Sequence, residues 1–366
     1  MFIRTNRETL LPLLAKVGGV VERRQTLPIL GNFLVSASDG AVQFTGTDLE
    51  VEIRATASVT VESGGEATLP ARKFMDICRA LPDNVDISLK VENERASLVA
   101  GRSRFTLSTL PANDFPIMDQ NAGIESIEIS PETLKNSLEK TAFAMANQDV
   151  RYYLNGLLLE FKPNRLITVA TDGHRLAKIE IELDVGIGGE MQIILPRKTV
   201  LELNRLLNAH TETVRIDISD KLFRTYVDDT VIASKLVDGR FPDYGRVIPP
   251  STDRVAYADR DSLRQALLRT SILSNEKYRG VRLSLESGVL KLLAHNPEQE
   301  EAEEEIELEY AQEPTVIGFN VGYLMDVLGV LEEDEVELGF TDSNSSAVLR
   351  NRGRAEQTFV VMPMRL

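Results

Sequence analysis

The residues best suited to chemistry are few. Asp172-Gly173-His174 sets a carboxylate beside an imidazole, and Asp48 with Glu50 offers two carboxylates in one short stretch. Either pairing has the residue types of general acid–base catalysis. However, His174 has no neighbouring cysteine or activated serine in the sequence, and no phosphate-binding loop or dinucleotide fingerprint occurs. Asp-Gly is first of all a turn former, because a short carboxylate hydrogen-bonds its own backbone and glycine accepts positive φ. The three histidines (174, 210 and 295) are scattered and the one cysteine is Cys78, which leaves almost no material for a zinc site. A lone cysteine also excludes an intramolecular disulfide and fits a reducing, cytoplasmic setting. These residues predict no catalysis, no metal and no cofactor.

The elements holding these residues repeat. Helical patterns start alike at Thr5–Val21, Ser130–Met145 and Ala258–Ile272, each with a polar N-cap candidate, an early acid and apolar residues at three-to-four spacing. Gly-containing strand starts follow at Leu30-Gly31-Asn32, Leu154-Asn155-Gly156 and Arg279-Gly280-Val281. The next β-rich segments end at Asp48, Asp172 and Asn296, at spacings of 124 and 124. Both carboxylates of interest therefore sit at one repeated turn. After Pro70, Pro196 and Phe319 come second amphipathic helices, KFMDICRAL, KTVLELNRLL and VGYLMDVLGVL, then strands closing at Pro116, Pro242 and Pro363. Five landmarks in constant order predict an α+β fold of three topologically similar modules, 1–124, 125–251 and 252–366.

Composition sets the outer bounds. A chain of 366 residues, 43% hydrophobic and 27% charged, is an ordinary globular protein with room for several domains. No apolar run reaches 18 residues, and the opening MFIRTNRETLLPLL meets charged residues too early for a signal peptide. The net charge of −15 is uneven: residues 252–366 carry 12 basic and 22 acidic side chains, which supply −10 of it. The first two modules are near balance, and either can present a basic face.

Basic residues recur opposite the apolar stripes of the helices: Arg7, Lys16, Arg72, Lys73, Arg79, Lys135, Lys140, Arg197, Lys198, Arg205, Arg260, Arg264 and Arg269. If the helices line a ring, six of them packed at ~8–10 Å give a diameter near ~17 Å, too narrow for duplex DNA once helix width is subtracted. Twelve helices leave a hole of ~24 Å or more, which predicts a head-to-tail dimer. The complementary ends would be Glu298, Glu300, Glu301, Glu303 and Glu304 on the third module, and Lys73, Arg95, Arg102, Arg104 and Phe105 on the first. Ile272 and Leu273 add an apolar pair. The competing reading is a three-module interaction scaffold that does not encircle DNA.

Several stretches resemble the family of bacterial DNA polymerase III β subunits, the replicative sliding clamps: TLPILGNFLV (26–35), FTGTDLE (44–50), PARKFMDICRALP (70–82), GRSRFTLSTLPANDFP (101–116), QDVRYYLNG (148–156), ATDGHRLA (170–177), SKLVDGRFPDY (234–244), LSNEKYRGVRL (273–283), NPEQEEAEE (296–304) and VVMPMRL (360–366). The resemblance covers nearly the whole chain. It implies a dimeric ring, helices inside and sheets outside, that encircles duplex DNA without sequence preference. Such a ring tethers the replicative polymerase, and the clamp loader and other clamp-binding-motif proteins use it too. Processivity then comes from effective concentration rather than catalysis.

By position, the resemblance implies DNA contacts at Arg24, Arg72, Gln148, Tyr152 and Tyr153, with Lys198 as a further one. Tyr152 and Tyr153 equally suit a strand core. The resemblance also implies a partner-peptide cleft from Leu154, Thr171, Gly173, His174, Arg175, Leu176, Pro242, Arg246, Val247, Tyr278, Asn320, Tyr323, Ser346, Val360, Val361, Met362, Pro363, Met364, Arg365 and Leu366. Asn344 stands where the family has an apolar residue, and Tyr278 where phenylalanine is more usual. A Val- and Met-rich carboxy terminus fits such a cleft physically, since thioethers adapt to varied ligands. Leu176, Val247, Val360 and Met362 would form a slot for Leu or Phe anchors.

Overall fold

The computed structural model describes residues 1–22, 27–118, 125–184, 186, 189–208, 211–212 and 214–365. Among them are six α-helices: α1 (Arg7–Gly18), α2 (Ala71–Ala80), α3 (Pro131–Glu139), α4 (Arg197–Leu206), α5 (Arg260–Ser271) and α6 (Val321–Val330). Two fall in each expected repeat. The N-caps are the expected polar residues. Asn6 accepts from Thr9 N, Ser130 from Thr133 N and Asp259 from Ser262 N, satisfying amides that a helix start leaves unpaired. The second helical pattern ends earlier than its apolar spacing implies: α3 stops at Glu139, and Ala142–Ala144 forms a 3-10 turn. Thr5 and Asn6 close a strand, Phe2–Asn6, instead of opening α1.

The chain forms two compact units, Met1–Lys135 with Lys198–Leu236, and Asn136–Arg197 with Val237–Leu366. In the first, an eight-stranded sheet runs in the order Glu125–Ile129, Val214–Ile218, Leu222–Val227, Thr230–Lys235, Val51–Ser58, Ala41–Thr47, Asn32–Ser38, Gly65–Pro70. A five-stranded sheet there ends in Arg95–Ala100 and then Ser103–Ser108. In the second unit, the eight-stranded order is Met191–Pro196, Gly156–Lys162, Arg165–Thr171, Arg175–Glu182, Gln357–Val361, Ala347–Asn351, Glu335–Phe340, Arg254–Asp259. Its four-stranded sheet begins with Glu301–Glu307 and Val289–His295.

Each eight-stranded sheet is continuous across two sequence repeats. Val51, Ile53 and Ala55 of the first repeat pair antiparallel with Ser234, Ile232 and Thr230 of the second. Arg175, Ala177 and Ile179 of the second pair with Val361, Phe359 and Gln357 of the third. The register is the same in both junctions, because Val51 and Arg175 each follow the repeated Asp turn. Helix and sheet are sealed by full burial of side chains such as Leu10, Phe33, Phe44 and Phe74 in the first repeat, each worth about 1.5–3 kcal/mol. Phe44 stacks on Phe74 with ring centroids 5.9 Å apart.

Candidate binding surfaces

The repeated acidic turn is structural. Asp48 Oδ1 accepts from Glu50 N and Val51 N, and Asp172 Oδ1 accepts from His174 N and Arg175 N. Asn296 Oδ1 accepts from Glu300 N in the third copy. Both carboxylates thus serve as local backbone acceptors.

What Asp172 positions is Arg175, one of the residues expected to line a peptide cleft. Arg175 donates from Nε to Asp172 Oδ2 at 3.1 Å and from Nη2 to Phe143 O at 2.8 Å, and it pairs with Asp326. Held this way, its guanidinium lies over the rings of Tyr323 (4.7 Å) and Phe143 (5.3 Å). His174 stacks on the same Tyr323. Burial, followed by nearby Asp172, raises the Tyr323 hydroxyl above its ordinary pKa. Asn320 caps α6 by accepting from Gly322 N and Tyr323 N, and donates to Tyr278 O. Gly173 has φ +88°, a left-handed conformation that favours glycine, and a Cβ there would lie 3.0 Å from the tip of the Arg151 side chain.

The floor is apolar. Leu158, Ile167, Val169, Leu176, Ile194, Phe241, Val348 and Val360 form one buried cluster, and Tyr153, Val237, Tyr244, Val247 and Ile248 pack half-buried against it. The carboxy-terminal segment is threaded alongside: Met362 N donates to His174 O at 2.9 Å and Met364 N to Gly318 O at 2.8 Å. Met362 and Tyr278 are exposed apolar surface. A cavity of about 380 Å³ adjoins Tyr278, lined also by Arg282, Leu293, His295, Met364 and Arg365 among others. Thr171 is tied inward, its hydroxyl donating to Arg175 O. Arg246 is exposed and pairs with Asp243, while Pro242, Ser346 and Pro363 are half-buried. Five predicted lining residues differ from an open wall: Leu154, Thr171, Leu176, Val360 and Val361 are buried. Leu176 and Val360 belong to the floor, and Leu154 closes a 3-10 turn. Asn344 is an exposed turn residue. Leu366 lies outside the described residues.

The predicted DNA contacts divide. Arg24 lies outside the described residues. Arg72 is exposed at the start of α2. Gln148, at φ +58°, and Tyr152, 57% exposed, lie on one loop with Val150, which is 95% exposed and was not singled out by sequence. Tyr152 and Tyr153 form a 3-10 turn, not a strand, and Tyr153 packs against the cleft cluster. Arg151 braces this loop through Asp149, whose carboxyl it holds at about 2, and through Asp172 O. Lys198 is already engaged. Its Nζ donates to Asp48 Oδ2 (2.5 Å), Glu22 Oε1 (2.8 Å) and Val20 O (3.1 Å). Burial disfavours its charge, but these partners more than offset that and raise its pKa.

Several of the repeated helix cations are structural ties instead of a free lining. Lys140 is buried and bonded to Glu332. Arg7 donates to Cys78 O, Arg197 to Met145 O, and Arg205 to Ala15 O and Lys16 O, while Arg260 reaches Leu331 O. Carbonyls at helix and loop ends need donors, and a long cation supplies them. Cys78 is fully buried, and desolvation pushes its thiol up to about 12, so it is unreactive at neutral pH.

Among the edge strands of the four sheets are Ser103–Ser108 and Glu301–Glu307. The first exposes Arg104 and half-buries Phe105, with Arg95 and Arg102 exposed nearby. The second exposes Glu301 and Glu303, beyond exposed Glu298 and Glu300. Glu304 differs from its fellows: it is held by Arg269 of the same chain through two bonds of 2.6 and 2.8 Å. Ile272 is 74% exposed at the end of α5, beside half-buried Leu273.

Residues 1–119, 128–243 and 245–365 match the N-terminal, central and C-terminal domains of the DNA polymerase III beta subunit. The chain belongs to this family. It is a DNA sliding clamp of three clamp domains, the processivity subunit of replication, and it has no catalytic role. The beta sliding clamp of Pseudomonas putida is 50% identical over 367 residues, and that of Escherichia coli K12 is 47% identical over 367 residues, with all of each chain covered. The crystal structure of the Pseudomonas aeruginosa DNA polymerase III subunit beta superimposes with a TM-score of 0.96 at 49% identity, again over the whole of both chains. The repeated Asp turns have the residue types of catalysis, but their carboxylates are taken up by backbone amides of the turn. Phe143, Asp326 and Tyr244 escaped the sequence reading. They come from two 3-10 turns and the outer face of α6, where no apolar stripe marks a residue.

Proposed function

We propose that this sliding clamp acts as two copies joined head to tail around duplex DNA, with module boundaries at 1–124, 125–251 and 252–366. Arg24, Arg72, Gln148, Tyr152, Tyr153 and Lys198 face the duplex, and the cleft takes Leu- or Phe-anchored peptides. Its partners are the replicative polymerase, the clamp loader and other proteins with such motifs, in the cytoplasm.

The supporting observation is internal. Two junctions between repeats are closed by antiparallel pairing in one register, and one strand of each type is left open. The Ser103–Ser108 strand is the first-repeat counterpart of Thr230–Lys235, since Ala100↔Ser103 and Val227↔Thr230 close equivalent hairpins. The Glu301–Glu307 strand is the counterpart of Val51–Ser58, both following the repeated turn. Copying the closed register onto the open pair sets Ser103 opposite Glu304, Arg104 opposite Glu303 and Phe105 opposite Ala302 of a second copy. A head-to-tail contact of this kind closes when rotation permits, and it removes both edges. Lys73, Arg95, Arg102, Glu298, Glu300 and Glu301 are the other charged residues assigned to this interface.

Topology is the test. Loaded onto nicked circular DNA, the dimer should be retained through gel filtration and lost when the circle is linearised. Equal retention on both forms would support the non-encircling scaffold instead.

A further inference from the structure

We propose that the Tyr244–Glu160 hydrogen bond is a positioning latch that sets the shape of the peptide cleft; this rests on the cleft reading above. Tyr244 Oη donates to Glu160 Oε2 at 2.5 Å. Glu160 is 4% exposed on the strand Gly156–Lys162, two residues from Leu158 and so on the same sheet face as the cleft cluster. Its cross-strand neighbour is Ile167, also in that cluster. A carboxylate in an apolar floor is costly unless its oxygens are bonded. Here Lys162 Nζ lies 3.1 Å from Oε1, and Tyr244 takes Oε2.

Tyr244 begins the 3-10 turn Tyr244–Arg246, between Pro242 and Val247, both cleft residues. The loop enters through Val237 N bonded to Ile194 O. Beyond that, the other hydrogen bonds of Asp243–Ile248 among the described residues close within the turn: Arg246 N to Asp243 O, Val247 N and Ile248 N to Tyr244 O, and Arg246 with Asp243. The phenol is therefore the polar tie from this turn to the sheet, and it fixes how far Val247 stands above Leu176 and Val360. Apolar contact alone would let the turn slide, because packing carries no directional preference, whereas a bond to a buried charge is directional.

The test is a double-mutant cycle read by fluorescence anisotropy, using a fluorescein-labelled synthetic peptide with Leu and Phe anchors. Tyr244→Phe and Glu160→Ala should each weaken binding roughly tenfold, and the double variant should be no weaker than either single one. Glu160→Gln keeps an acceptor for the phenol and should bind within about twofold of the parent. Sedimentation should still show the parental dimer in Tyr244→Phe, which leaves Glu160 and Lys162 in place. Parental affinity in Tyr244→Phe, or losses that add in the double variant, would overturn the latch. Removal of Met362–Leu366 separates the two claims. If that truncation binds the peptide normally, the cleft reading fails and the latch with it. If it abolishes binding while Tyr244→Phe has no effect, the latch alone fails.

Discussion

At the scale of single residues, the informative positions are those where repeat equivalents differ. The turn after each central strand needs positive φ. Gly173 supplies it at +88° in the second repeat, whereas Leu49 is held at +79° in the first. A branched aliphatic side chain with an ordinary Cβ pays for that conformation, at roughly 1–2 kcal/mol. Leu49 is also 37% exposed, so it recovers little from burial. Leu49→Gly should therefore raise unfolding stability by about 0.5–1 kcal/mol, the relief of strain being partly offset by the greater freedom of glycine in the unfolded chain. Chemical denaturation checks this, and a lower midpoint with an unchanged slope would refute it. Lys198 shows the same kind of difference. In sequence it is one more cation on a helix, yet Asp48 and Glu22 surround it, and it must exchange a carboxylate for any phosphate it meets.

At the scale of elements, the two closed junctions make a quantitative statement about the open ones. If the register carries over, Arg104 and Glu303 face each other across the copies, and exchanging their charges should be reciprocal. Arg104→Glu or Glu303→Arg alone should weaken the dimer several-fold in sedimentation equilibrium. Mixing the two variants should restore it, because in the mixed dimer one interface carries the exchanged charge pair and the other the parental Arg104 and Glu303. Failure of the mixture to associate better than either variant alone would reject this register. Each exposed pair contributes only about 0–1 kcal/mol, so reversal, which adds repulsion, is a stronger probe than removal. Elements were also where sequence was most legible. Periodicity and the Pro, Gly and Asp landmarks located all six helices because an amphipathic stripe and a turn residue are local signals. Less was legible where the cause is tertiary. The burial of Lys140 against Glu332 and the capture of Glu304 by Arg269 depend on residues 192 and 35 positions away. The cleft floor mixes Leu158, Phe241 and Val348, which no local pattern joins.

At the scale of the whole molecule, the acidic balance and the DNA-encircling role are compatible. The excess negative charge lies in residues 252–366, and part of it lines the open strand Glu301–Glu307. Charge there steers two copies together but is screened within ~8 Å at physiological salt, so it cannot by itself hold a ring closed. The remaining grip is strand pairing and apolar contact, and the apolar candidates are the exposed Ile272, its neighbour Leu273 and the half-buried Phe105. Removing both aliphatic side chains takes away contact area that salt does not weaken. Ile272→Ala with Leu273→Ala should therefore give a folded monomer by sedimentation, with parental circular dichroism and an intact peptide cleft. It should show no retention on nicked circular DNA, because topological binding requires closure whereas the cleft lies within one chain. A double variant that still sediments as a dimer would mean that strand pairing and charge suffice, and the apolar pair would then be assigned to another contact.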